Sequence, residues 1–142
     1  LPALGASRRE EAAQVAKGGY VVYDSAKPVV VMLATGSEVA TLIEGAELLA
    51  AEGIPVRVVN MPSEGLFRDQ PRSYQESVLP QGVMRYGMTS GLPVNLLGLV
   101  GDESHIHGLN HFGFSAPYKV LDEKFGYNGA TVAAEVKKLL GR

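Results

Sequence analysis

An α/β fold built on a mostly parallel sheet is predicted by one stretch of the chain, residues 29 to 60. Val29-Val30-Val31-Met32-Leu33-Ala34 is a continuous apolar run, the pattern of a strand covered on both faces. After Thr35-Gly36-Ser37-Glu38, residues Val39, Leu42, Ile43, Ala46, Leu49 and Ala50 recur at helical spacing, and Gly53 closes that helix. Ile54 to Val59 begin a second apolar strand. A helix joining two such strands implies a right-handed crossover and parallel pairing. Parallel sheets place their chemistry at the carboxyl ends of the strands, where Thr35 to Glu38 lie.

The remaining elements follow in order. Ser7-Arg8-Arg9-Glu10 has capping-box spacing and precedes Ala12, Ala13, Val15 and Ala16, which predicts a short helix or connector ending at Gly18-Gly19. Tyr20 to Tyr23 are β-prone. The short link Asp24 to Pro28 cannot make a parallel crossover, so this strand is expected antiparallel at a sheet edge. Beyond Met61-Pro62 a charged stretch leads to a helix over about Pro71 to Val78. Val83 to Met88 read as a third core strand and Ser104 to Leu109 as the last. Ser115 caps a helix holding Val120, Leu121 and Phe125, and Thr131 to Leu140 form a final amphipathic helix. The expected whole is a three-layer domain: a five-stranded, mostly parallel sheet with one antiparallel edge strand and helices on both faces.

Composition narrows the function classes. A chain of 142 residues fits one domain with a continuous core. Its 46% hydrophobic and 20% charged content is a globular balance without a membrane-spanning run. Thirteen basic and 15 acidic residues give a net charge of −2, which argues against nucleic acid and anionic membrane as partners. The absence of cysteine excludes disulfides, thiolate metal sites and a cysteine nucleophile. The opening Leu1-Pro2-Ala3-Leu4-Gly5 has neither a charged leader nor an initiator methionine, and reads as a fragment of a longer chain.

Three constellations are candidates for chemistry. A glycine turn opening a helix presents free N–H groups to an anion, which makes Thr35, Gly36, Ser37 and the more distant His111 candidate anion-site residues. The competing reading is a structural cap, because Thr35 and Glu38 have capping-box spacing and Glu38 already places a carboxylate there. Neither a dinucleotide fingerprint nor a P-loop is present. His105 and His107 would share one side of a strand as a two-histidine ligand pair, with His111, Asp102 and Glu103 near them in sequence, although spacing alone supports this weakly. No Gly-x-Ser-x-Gly elbow exists, Asp122 and Glu123 are neighbours on a helix, and Tyr74, Tyr86, Tyr118 and Phe125 read as core or interface aromatics. No catalytic, cofactor-binding or metal-ligating set is assembled by these residues.

A series of motifs runs in order along nearly all of the chain: Leu1-Pro2-Ala3-Leu4, Lys17-Gly18-Gly19-Tyr20-Val21, Ala34-Thr35-Gly36-Ser37-Glu38-Val39, Val56-Arg57-Val58-Val59-Asn60-Met61-Pro62 with Phe67, and Tyr74-Gln75-Glu76-Ser77-Val78-Leu79-Pro80. Gly108-Leu109-Asn110-His111-Phe112-Gly113-Phe114-Ser115-Ala116-Pro117 is the most telling, and Phe125-Gly126 follows it. The series resembles the carboxyl-terminal domain of transketolase. The resemblance implies residues 1–18 as a connector from a preceding, pyrimidine-binding domain and 19–142 as the carboxyl-terminal domain. It implies a cytoplasmic, homodimeric parent enzyme of the pentose phosphate pathway, a transferase moving a two-carbon ketol group between ketose and aldose phosphates. Thiamine diphosphate and a divalent metal, magnesium or calcium, would be held by the remaining two domains, leaving this one structural. One departure is Met88 to Gly98, where the family often has an aromatic-rich segment and this chain, which contains no tryptophan, has none. A regulatory anion-binding module, and a free-standing homodimer formed through Leu92, Val94, Leu96 and Leu97, are the competing readings.

Overall fold

The computed structural model describes residues 16–35, 37–89, 98–101, 105–107 and 128–141. Its elements are β1 (Tyr20–Tyr23), β2 (Val30–Ala34), α1 (Ser37–Ala51), β3 (Val56–Asn60), α2 (Glu64–Arg68), α3 (Arg72–Val78), β4 (Met84–Met88), β5 (Ile106–His107) and α4 (Gly129–Leu139). The strands form one five-stranded sheet in the order β1-β3-β2-β4-β5. β2 runs parallel to both β3 and β4, and β4 runs parallel to β5. β1 is antiparallel to β3 at the edge, as its short link to β2 requires. The helix expected after Ser7, the helix from Ser115 to Phe125 and the cluster from Leu92 to Leu97 lie outside the described residues.

Every residue of β2 is fully buried, which is why its sequence is apolar without alternation. Val30, Met32 and Ala34 meet α1 and α4 on one face, through Leu42, Ala46, Leu49, Val132, Ala133 and Val136. Val31 and Leu33 meet the opposite layer, through Phe67, Val78, Leu79, Leu99 and Val100. The sheet is therefore sandwiched between two helical layers.

Local chemistry sets the element ends. At the end of α1 the Gly53 N–H donates to Ala50 and the Ile54 N–H to Leu49, while Gly53 adopts φ +78°. This is a Schellman closure, and it needs the left-handed conformation that glycine adopts without strain. α2 was not foreseen. Its cap is Ser63, whose hydroxyl accepts from the Leu66 N–H, with Glu64 in the first turn. α4 starts two residues before the expected Thr131 because the Asn128 side chain accepts from the Thr131 N–H. The last strand is observed only over Ile106–His107, within the expected Ser104 to Leu109.

Candidate functional site

At the carboxyl end of β2, Thr35 Oγ1 donates to the Met61 carbonyl, and the Met61 N–H donates to the Ala34 carbonyl. The two bonds tie the exits of β2 and β3 together. The only hydroxyl proton of Thr35 is thus directed at a carbonyl, and its lone pairs offer nothing to an anion. Gly36 and His111 lie outside the described residues, as does the side chain of Ser37, which begins α1. Glu38 occupies the first turn of α1, where a carboxylate matches the positive end of the helix dipole.

His105 and His107 do not stand together as the ligand pair that their spacing weakly allowed. Strand pairing starts at Ile106, so His105 stands outside the ladder and its Nδ1 lies 3.2 Å from the Arg85 carbonyl. His107 Nδ1 instead faces Glu135 of α4, 3.0 Å from Oε2 and 3.2 Å from Oε1. The Tyr86 hydroxyl donates to the same Glu135 carboxylate. Tyr86 is almost wholly buried, and its O–H requires a partner there. Burial works against the Glu135 charge, but hydrogen bonds from His107 and Tyr86 and the nearby charges of His107 and Lys138 prevail. They hold the carboxyl below the usual glutamate value. Among the described residues no three His, Asp or Glu side chains converge to hold a metal ion.

Two arginines form a second feature that sequence reasoning missed. Arg57 of β3 and Arg85 of β4 both flank Val31 of β2 in the ladder. Both reach the carboxyl end of α3, a helix of only seven residues. Arg57 donates to the Ser77 and Val78 carbonyls, and Arg85 donates to the Leu79 and Leu99 carbonyls. Cations at a helix carboxyl end satisfy orphan carbonyls and oppose the dipole. The sequence signal was an arginine inside each core strand, a position where a parallel sheet ordinarily takes an aliphatic residue. Tyr74 of α3 packs edge-on to Phe67 and donates from Oη to the Gly19 carbonyl at 2.7 Å, anchoring the chain just before β1.

Comparison with known proteins decides the family. Residues 18–128 match the model of the transketolase-like TK C-terminal domain. The chain belongs to this family. It is 43% identical over 133 residues to transketolase 1 of Vibrio vulnificus strain YJ016, covering 92% of this chain and 20% of that protein. It is 42% identical over 133 residues to transketolase 1 of Escherichia coli K12, with the same coverage. A solved transketolase from Leishmania mexicana superposes with a TM-score of 0.79 at 34% identity, over 89% of this chain and 18% of that one. The chain therefore spans about a fifth of the length of the curated relatives it matches. Within this transketolase-like domain the matched span takes in the five described strands and stops at Asn128, the residue that caps α4.

Proposed function

We propose that this chain is the carboxyl-terminal, non-catalytic domain of a transketolase and that it provides rigidity and subunit contacts. The parent enzyme of this reading transfers a two-carbon ketol group from a ketose phosphate to an aldose phosphate in the pentose phosphate pathway. Residues 1–18 then connect to a preceding pyrimidine-binding domain, and 19–142 constitute the domain itself. The remaining two domains of a cytoplasmic homodimer supply the reaction centre. Thiamine diphosphate, when bound there with magnesium or calcium, supplies the carbanion chemistry.

The observation that carries this reading is the family match along 18–128, taken with the chemistry of the described residues. Thr35, at the end of the central strand, donates to a backbone carbonyl, and the carboxylates of Asp24, Glu52, Glu64 and Glu135 are drawn into ion pairs or hydrogen bonds. These groups do not fit a diphosphate–metal unit, which needs converging oxygen ligands. No step is assigned to them.

The test uses the purified 142-residue chain with thiamine diphosphate, magnesium, a ketose phosphate and an aldose phosphate. The expected result is no ketol transfer and no heat of thiamine diphosphate binding by calorimetry. Turnover by this chain alone would overturn the reading.

A further inference from the structure

Arg57 and Arg85 form an internal comparison, because the ladder places both beside Val31 and both donate to carbonyls at the end of α3. Their counter-charges differ. Arg57 Nε lies 2.9 Å from Asp24 Oδ1 and Arg57 Nη2 lies 3.2 Å from Oδ2, a two-point ion pair. Arg85 has two carbonyl acceptors and no carboxylate within ion-pair distance among the described residues. Its guanidinium carries five N–H donors, so its capacity exceeds those two acceptors. Burial pushes it below the ordinary arginine value, the direction expected of a charge removed from water without an anion beside it.

The unmatched charge faces a cavity of about 150 Å³ between α2, α3 and β4. Its polar lining is Arg68, Arg72, Gln75, Glu76, Gln81 and Arg85. Two carboxylates bear on it. Glu64 lies 2.6 Å from Arg68 Nη2, and Glu76 stands 4.0 Å from Arg72. Among the described residues, three guanidiniums against two carboxylates leave one positive charge in excess, on Arg85. Gln75 Nε2 donates to the Arg68 and Gln70 carbonyls, which holds that wall in place. A cavity of this size admits several waters, and hence a partly hydrated tetrahedral anion.

We propose that the Arg85 cavity is a binding site for a phosphate-type oxyanion, which supplies the counter-charge that Asp24 gives Arg57. Arg85 provides the desolvated, forked donor, and Arg72 at the rim adds a second cation. A planar guanidinium recognises paired oxygens better than an ammonium does. The site lies near the amino end of β4, away from the Thr35 strand exit, and its existence is independent of the parent enzyme's reaction.

The test titrates the 142-residue chain with inorganic phosphate, following backbone amides and Arg Nε–H groups by NMR against a chloride titration of matched ionic strength. Saturable shifts at Arg85 Nε–H, Gln81 and Leu99 are expected. Arg85→Lys, which keeps the charge and loses the fork, should weaken phosphate roughly 10-fold. Arg72→Gln should weaken it by about 2-fold to 3-fold, and the 82% exposure of this side chain keeps the fold out of question. Should Arg85→Lys fail to fold, the Arg72→Gln result decides. Shifts that match chloride, or saturable binding that the variants leave unchanged, would overturn the proposal. So would acetate binding as tightly as phosphate, which would make the cavity a carboxylate seat.

Discussion

Under α1 and α4 the described sheet residues are covered mainly by aliphatic side chains, and polarity enters at the margin, where Tyr86 and His107 meet Glu135. Under α2 and α3 the same strands present Arg57 and Arg85 among Val31, Leu33 and Val59. Helix length accounts for the difference. α1 and α4 run 15 and 11 residues, enough to supply continuous apolar stripes. α2 and α3 run five and seven, lengths at which isolated helices are unstable. The carbonyls at the end of α3 are satisfied from below by the two arginines. A long helix covers a sheet by packing, whereas a short one is held by polar clamps that need charge compensation.

The largest expected effect tests the aliphatic face. Leu49 is fully buried, and Leu49→Ala should cost about 2–5 kcal/mol of unfolding free energy in urea titration. A cost near that of a surface substitution would break the contrast. Gly45→Ala sharpens the same point by its sign. A Cβ at Gly45 would stand 2.6 Å from Val132 Cγ1 and 2.8 Å from Val132 Cβ, so α1 and α4 approach too closely for a methyl. The helix-propensity gain of about 0.5–1 kcal/mol should be outweighed by overpacking of about 1–3 kcal/mol. A raised midpoint would show that this face has slack.

The smallest effect concerns the polar margin. Glu135 is held below the usual glutamate value, so the stability it contributes is complete above the unfolded glutamate pKa and is lost as pH falls through its lowered folded value. Glu135→Gln should cost about 1 kcal/mol or less at pH 7, because the carboxylate is partly exposed. It should also flatten the acid limb of stability below about pH 4.3. Asp24, where burial opposes and Arg57 prevails, keeps its own share of that limb. Denaturant midpoints measured from pH 7 downward for both proteins check this, and parallel acid limbs would remove Glu135 from the margin's energetics.

Much of the fold was legible because its signals are local. The unbroken apolar run of β2, the spacing of α1 and its closure at Gly53 each declare themselves within a few residues. The antiparallel direction of β1 followed from the length of one link. α2 escaped because five residues are too few to display a period, although Ser63 before Glu64 was a readable cap. The spacing of His105 and His107 was a weak signal because alternation holds only inside a ladder, and His105 stands just outside it.

The candidate sites were harder to read because their partners are remote in sequence. His107 meets Glu135 across 28 positions and Arg57 meets Asp24 across 33. Burial and helical period are properties of a short window, and an ordered run of motifs can be read by eye. These let the amino-acid order determine the α/β class and the family. Strand order and register are collective outcomes of packing, and they alone placed Arg57 and Arg85 on either side of Val31. Whether a buried charge finds its opposite depends on distance through space, which only the assembled tertiary structure sets.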